Sequence, residues 1–489
     1  MFYISKLPFM ILWIVVSFFS RRFVRNRAYG ELSVSLFIVA ISCPLVVLLL
    51  ALIVPILFAS VGYFTRSKTL LWIITLLLFL FYETNIGQIL VFLDCEEASV
   101  LQSTLALILL RSTSIGIEHA NIPSSMLAIP KSVQVNGLSS QHLSSILSYS
   151  LYPPTFLFGP ITLYGDWCSS RQYEVTNSVK VPLDYRGCLT TRILSCKNLV
   201  LRAFRLVFWV VIWEVVIHTV YPSALVYSMT KPIMHVPSPP LDSNATTFHG
   251  SPFIQTDRSA PGCAVYLLGM QFYFTYLQLY GWPRWFSDLD VLLTNGVSDD
   301  GVLCLVPEGP QCFSHMLLFS QLWRTFDQGL YNFLKCRYVY LPWLNPAKGP
   351  SVCRKFLAGL LVFIFVLIYH SLNTVNSLWV LINILQIFFE QLIKWAYKST
   401  QFGDTVRARL SPNNIQRLTG ILCSISGMLS SVGFFFFNLG YSSGTWILYL
   451  MFFDPIYLPV SIGLFYCTYQ ISTGVKKLHD NKINNMTCN

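Results

Sequence analysis

Charge is scarce in this chain. Only 11% of its 489 residues are Asp, Glu, Lys or Arg, less than half the ~25% of an ordinary soluble domain. Water is therefore excluded as its main solvent. From Leu357 to Phe389 none of these four residue types occurs. The long apolar runs also lack strict apolar/polar alternation. That excludes a membrane β-barrel, whose strands alternate between lipid and lumen, and leaves the helix as the structure that satisfies its own backbone in lipid. No CxxC pair exists among the 13 cysteines. Most of them read as small buried hydrophobes, and a zinc site is not expected. No internal repeat is found, which argues against a transporter built from repeated halves. No Ser nucleophile elbow is found either.

What is present is apolar: 54% of the chain is hydrophobic and 15% aromatic. Apolar segments run near 7–20, 32–64, 69–93, 99–117, 143–164, 198–228, 264–286, 316–334, 356–373, 377–397, 418–438 and 444–471. A helical pass needs about 20 such residues, so the expected fold is all-α and polytopic, with about ten to twelve membrane helices. Arg21-Arg22 follow the first segment, the reverse of the order in a signal peptide, so an uncleaved first helix is expected. Pro44 and Pro55 predict a kink or a division of 32–64. Pro153, Pro154, Gly159 and Pro160 predict a broken or re-entrant element within 143–164.

The formal net charge is +11. Its basic residues gather at the ends of apolar segments, as in Arg21, Arg22, Arg25 and Arg27, or Lys476 and Lys477. That is the positive-inside pattern with headgroup contacts, so the expected partners are membrane lipids and not nucleic acid. Polar loops are expected near 168–197, 221–262 and 289–314, within one membrane domain spanning 1–489.

His370 closes the apolar run Phe356–Tyr369. An imidazole there is costly to bury, and an ionisable group within a membrane is a functional-site candidate by default. It is also the side chain best suited to take and return a proton near neutrality. Asp327 lies among aromatic and apolar residues in Trp323-Arg-Thr-Phe-Asp-Gln-Gly-Leu-Tyr331. At helical period Trp323, Phe326, Leu330 and Phe333 share one face, with Arg324, Asp327, Gln328 and Tyr331 beside it. Arg324 and Asp327, three apart, either neutralise each other or leave Asp327 lining a cavity shared with His370. The chemistry that fits is acyl transfer. A nucleophile loses a proton as it attacks a thioester, a histidine accepts that proton, and a carboxylate orients the imidazole or attracts an ammonium.

Here the residues reach a resemblance. Trp323–Pro342, followed by an apolar helix ending in Tyr369-His370, resembles the membrane-bound O-acyltransferase family, and within it the branch that acylates Hedgehog proteins. Tyr149-Ser-Leu-Tyr-Pro-Pro-Thr-Phe-Leu-Phe-Gly-Pro160, Phe272–Pro283 and Arg111-Ser-Thr-Ser-Ile-Gly-Ile-Glu118 resemble further segments of that branch. The chain departs from it at Trp343-Leu-Asn-Pro346, where a Gly-rich turn is usual, and in the loop 221–262. The resemblance implies His370 and Asp327 as the catalytic pair. It implies palmitoyl-CoA as acyl donor and the N-terminal Cys amine of a Hedgehog-like secreted protein as acceptor. It further implies the endoplasmic reticulum or Golgi membrane, a tunnel between the two membrane faces, and a haem held by Cys312. Trp323, Arg324, Tyr331 and Asn383 are the expected substrate-binding residues, and Glu83 and Asn85 are expected to line the tunnel.

Three other readings stay open at this point. One is an O-acyltransferase for a protein Ser or a lysophospholipid. Another is a proton-coupled transporter using His370 and Asp327 as a relay, and the last is a catalytically silent scaffold. Two further pairs carry blander readings. Glu118-His119, at the end of an apolar helix, reads as satisfied or interfacial, and Glu214 with His218 as a buried hydrogen-bonded pair.

Overall fold

The computed structural model describes residues 2–23, 27–91, 95–121, 140–168, 170, 190–192, 195–221, 260–295, 302–311, 318–344 and 351–487. Seven helices come first: α1 (Phe2–Phe23), α2 (Arg27–Ser42), α3 (Leu45–Thr65), α4 (Lys68–Val91), α5 (Cys95–Asn121), α6 (Ser140–Ser150) and α7 (Pro153–Phe158). Strand β1 (Thr190–Arg192) precedes α8 (Cys196–Val220) and α9 (Ala260–Asn295), and β2 (Val302–Cys304) follows them. The polar stretch expected from 289 is thus helical as far as Asn295. The strands pair antiparallel, Thr190 opposite Cys304, a small exception among described residues that are mostly helical.

Next come α10 (Phe319–Thr325), α11 (Gln328–Tyr331), a π-helical turn at Asn332–Tyr338, and α12 (Tyr340–Leu344). The last five helices are α13 (Val352–Tyr369), α14 (Thr374–Ser399), α15 (Gln401–Arg409), α16 (Pro412–Phe452) and α17 (Tyr457–Thr487). Among the described residues, four helical stretches are each long and apolar enough to cross a membrane: Leu45–Thr65, Lys68–Asn85, Thr374–Lys398 and Pro412–Phe452.

Packing divides the chain into two compact units. The first holds Met1–Phe208, Tyr276–Gly309 and Asp327–Ser371; the second holds Trp209–Thr275, Pro310–Phe326 and Leu372–Asn489.

Prolines and glycines shape the first unit. The expected division of 32–64 falls at Pro44, which precedes α3, whereas Pro55 sits inside α3 without ending it. The residue before a proline is biased away from helical conformation, which favours the break at Cys43. The 143–164 segment is broken as expected. Helix α6 stops at Ser150, α7 begins with two prolines, and Gly159 ends it at φ +101°. Pro tolerates a helix start and Gly the left-handed residue after its end. Nearly every residue from Tyr149 to Trp167 is buried, the condition under which irregular backbone survives at membrane depth.

Helices α3 and α5 approach closely because both are glycine at the contact. A Cβ on Gly62 would overlap the Gly116 carbonyl, and one on Gly116 would come within 2.9 Å of the Phe58 carbonyl oxygen. Small residues allow such backbone contact between membrane helices. Part of the basic excess is neutralised inside this unit. Arg21 pairs with Glu31 at 3.0 Å and Asp290 at 2.5 Å, and Arg202 with Asp288 at 2.6 Å.

The second unit is built from longer pieces. Helices α14 and α17 both pack on α16 around Met428, Val432, Phe435, Phe436 and Ile447. Helix α16 kinks at Gly440, whose φ of 85° and ψ of −173° fall outside helical space. That break lies between the expected segments 418–438 and 444–471. The second of these divides again between Phe452 and Tyr457, because α16 runs through the kink. Glu214 and His218 do pair, at 3.4 Å, but on an exposed face and not in a buried one.

Candidate functional site

The segment that carries Asp327 is not one helix. Helix α10 ends at Thr325, Asp327 takes a non-helical φ of −119° and ψ of 83°, and α11 begins at Gln328. The single apolar face expected from Trp323 to Phe333 is therefore interrupted. The three-residue spacing of Arg324 and Asp327 is no longer a helical one. Asp327 is the N-cap of α11: its Oδ1 accepts the Leu330 N–H at 2.9 Å. The same oxygen accepts the hydroxyl of Tyr280. Both bonds fall on Oδ1, so they fix the carboxylate without engaging Oδ2. An ionised carboxylate accepts stronger hydrogen bonds than a neutral group does.

The four segments behind the resemblance are far apart in sequence, and three of them meet at this break. Tyr280, from the Phe272–Pro283 segment, is 1% exposed. Besides reaching Asp327, its oxygen accepts the Gly329 N–H at 3.3 Å. Gly329 lies against Ile161, next to the Tyr149–Pro160 segment. A Cβ there would stand 2.6 Å from the Ile161 carbonyl oxygen. Only glycine permits that approach. Gln328 adds a tie to the next segment, its Oε1 accepting the Glu308 N–H at 3.2 Å.

The fourth segment braces the π-helical turn. Glu118 accepts from Arg337 at 2.9 Å and from the Tyr338 hydroxyl at 3.0 Å. Ser114 shares a hydrogen bond with Tyr338 at 2.7 Å and accepts the Tyr164 N–H at 2.9 Å. Arg111, 3% exposed, donates to the Tyr149 carbonyl and lies over the Tyr149 ring at 4.6 Å. Glu118 is thus the brace of the turn after Asp327, the satisfied one of the two readings its place in the sequence allowed. π-Helical turns are frequent at functional sites.

His370 caps the C-terminus of α13, its N–H donating to the Val366 carbonyl at 3.1 Å. Its ring is half-buried and stands edge-on to Tyr369 at 4.7 Å. A series of aromatic contacts joins it to the chain after Asp327. Phe333 meets Trp72 at 6.1 Å, Trp72 meets Phe365 at 5.5 Å, Phe365 meets Phe79 at 6.0 Å, and Phe79 meets Tyr369 at 5.9 Å. Such edge-to-face pairs hold rings in fixed relative orientation. Asp327, Tyr331 and His370 all belong to the first unit.

Trp323, Arg324 and Asn383 belong to the second unit. Trp323 Nε1 donates to Asn383 Oδ1 at 3.3 Å, and the Asn383 amide donates to the Trp379 carbonyl at 2.6 Å. Arg324 is exposed at the end of α10. The start of α10 is held by Glu390, which accepts the Ser320 N–H at 2.8 Å and its hydroxyl at 2.5 Å. Tyr331 ends α11, with the Lys335 ammonium 5.6 Å from its ring centre. Cys312, the expected haem ligand, lies outside the described residues.

The model of the membrane-bound O-acyltransferase family matches residues 36–433, so every element described around Asp327 and His370 falls inside the match. The chain belongs to the membrane-bound O-acyltransferase family. It is 28% identical to protein-cysteine N-palmitoyltransferase HHAT of Mus musculus over 352 residues, 71% of this chain and 58% of the mouse protein. It is 24% identical to protein-cysteine N-palmitoyltransferase Rasp of Drosophila melanogaster over 287 residues, 59% of this chain and 47% of the fly protein. The matches thus span about half the length of these relatives. Membership in the family, together with several apolar helices, makes this a multi-pass membrane protein.

One residue of this site carried no role in the sequence reading, and another carried a different one. Tyr280 was part of a quoted segment, and its signal was a hydroxyl-bearing ring just before Gly-Trp-Pro in an aromatic helix. Glu83 was expected to line a tunnel, yet its carboxylate accepts the hydroxyl of Ser371 at 2.8 Å. Asn85 turns back on its own helix, donating to the Phe81 carbonyl at 2.9 Å.

Proposed function

We propose that the protein is a membrane acyltransferase that moves palmitate from palmitoyl-CoA to the N-terminal Cys amine of a Hedgehog-type secreted protein. The observation that carries the reading is Asp327, set at a helix break by Tyr280 and Leu330 in the same compact unit as His370. Family membership and the activity named for the two relatives support the reaction class.

In this mechanism the amine nitrogen attacks the thioester carbonyl carbon. The C–N bond forms, the C–S bond breaks, and the electron pair leaves with sulfur. His370 takes the proton that the amine loses and returns it to the departing thiolate. The products are an amide and free coenzyme A, and no covalent acyl-enzyme is needed. Asp327, through the oxygen that Tyr280 and Leu330 leave unengaged, attracts the acceptor as an ammonium; that ammonium first releases one proton to water to become the attacking amine, and the second proton, lost as the C–N bond forms, is the one His370 carries to sulfur. The oxygen they hold keeps the carboxylate aimed. Trp323, Arg324, Asn383 and Tyr331 bind the substrates. The endoplasmic reticulum membrane is the proposed location, since a secreted acceptor exposes its new N-terminus on the luminal side.

The test incubates the purified protein with labelled palmitoyl-CoA and a peptide with a free N-terminal Cys, beside the same peptide with its amine blocked. Label is expected only in the free peptide. Label in both peptides would move the assignment to a side-chain acyltransferase, and label in neither would remove it.

A further inference from the structure

The turn that carries His370 is unusual on its far side. Helix α13 ends at Tyr369, His370 caps it, and Ser371 follows with φ +85°. A helix commonly ends with a left-handed residue at this place, and glycine is the usual one because a Cβ is disfavoured there. This chain has serine instead, and its hydroxyl donates to Glu83 Oε2 at 2.8 Å. Glu83 belongs to Lys68–Asn85, a stretch apolar and long enough to cross a membrane. A carboxylate within such a stretch is expensive and marks function.

The same face of α4 carries Trp72 and Phe79, eleven and four residues before Glu83, at helical spacing from it. Trp72 and Phe79 pack on Phe365, and Phe79 also meets Tyr369 at 5.9 Å. One face of α4 therefore grips His370 from both sides. Aromatic rings hold the residue before it, and a hydrogen bond holds the residue after it.

We propose that Glu83 is a positioning residue, which acts through the Ser371 hydroxyl to hold the left-handed turn and so aim the His370 imidazole. A membrane carboxylate used as a proton relay or substrate anchor would need its charge. A tether needs only an oxygen that accepts, and the bond to a strained serine favours the tether. The proposal rests on the catalytic reading of His370, and its test separates the two.

Glu83→Ala, Glu83→Gln, Ser371→Ala, the Glu83→Ala/Ser371→Ala pair and His370→Ala are compared in the palmitoyl-CoA assay and by hydrogen–deuterium exchange in detergent without substrate. Misaiming a catalytic group by about an ångström can cost up to about a hundredfold, so Glu83→Ala and Ser371→Ala are each expected to lower kcat by about tenfold to a hundredfold. KM for palmitoyl-CoA should stay within about twofold, because nothing in the donor contact is removed. The double variant should be no worse than either single one, since both cut the same bond. Glu83→Gln keeps an accepting oxygen and should retain most of kcat. In the exchange experiment the amides of 369–372 should exchange faster in Glu83→Ala and at the wild-type rate in Glu83→Gln.

A Glu83→Gln variant as slow as Glu83→Ala would overturn the proposal, because the charge would then be what matters. So would additive losses in the double variant, or unchanged exchange in Glu83→Ala. Full turnover by His370→Ala would sink the catalytic reading instead, while the exchange result would still decide whether the tether exists.

Discussion

The two compact units solve opposite problems. In the first, the backbone is repeatedly broken: a six-residue helix from Pro153 to Phe158, a four-residue helix after Asp327, and a seven-residue π-helical turn. In the second, helices run for 26 residues in α14 and 31 in α17, and the 41 residues of α16 bend once, at Gly440. Every break leaves backbone groups that lipid cannot satisfy. The first unit meets that demand with side chains, as when Ser114 accepts the Tyr164 N–H, Tyr149 donates to the Thr162 carbonyl, and Asp327 caps α11. The second unit spends its polar side chains between helices. Gln386 Oε1 meets Ser426 at 3.0 Å and Ser430 at 2.9 Å, and Glu390 meets Ser320. The difference teaches where chemistry is affordable in a membrane. Groups that must point away from a helix axis sit where the backbone is already irregular and covered by protein.

The sharpest way to break this contrast is at His370. His370→Ala removes the proposed base, and general acid–base catalysis is worth about 10²–10⁴-fold, so kcat for palmitoyl transfer should fall by that order while the protein still purifies. Turnover near wild type would place the chemistry elsewhere. Tyr280→Phe is the next largest. It takes one charge-assisted hydrogen bond from Asp327, a loss of about 1.5–3 kcal/mol, so kcat/KM should drop by about 10- to 100-fold. Wild-type kinetics would mean that Leu330 alone fixes the carboxylate. Gly329→Ala probes the packing that allows the break. Its Cβ would stand 2.6 Å from the Ile161 carbonyl oxygen, and overpacking of this kind costs about 1–3 kcal/mol. A clear fall in Tm in detergent is expected, and an unchanged Tm would show that the Ile161 segment yields.

How much of this was legible beforehand differs by kind of feature. The apolar segments and their prolines announced a helical membrane protein. Pro153, Pro154 and Gly159 announced a broken element, because those residues constrain φ or free it locally. The segments of the resemblance pointed to the family that residues 36–433 match. The break at Asp327 was not legible. Trp323, Phe326, Leu330 and Phe333 keep helical period across it, and what interrupts the helix is tertiary: Tyr280 takes hold of the Asp327 carboxylate from about fifty residues away in sequence. Glu118 was read as satisfied or interfacial, and its partners could not be named beforehand, since Arg337 and Tyr338 are more than two hundred residues distant. A carboxylate in an apolar helix says that it has a partner, and only the fold says which. Glu83 shows this again with Ser371.

The smallest expected effect lies in the second unit and sharpens the contrast from the other side. Trp323→Phe keeps an aromatic ring against Trp379, now 5.9 Å away, and deletes only the Nε1 donor to Asn383. That bond is long, at 3.3 Å, and a neutral hydrogen bond of this kind is worth about 0.5–1.5 kcal/mol. Asn383 keeps its own donation to the Trp379 carbonyl, so its amide stays oriented by the helix it belongs to. If the Trp323–Asn383 pair serves binding and not chemistry, the change should raise KM for palmitoyl-CoA by about two- to tenfold and leave kcat alone, the signature of lost uniform binding. A kcat loss comparable to that of Tyr280→Phe would give Trp323 a part in the chemical step and not in binding alone.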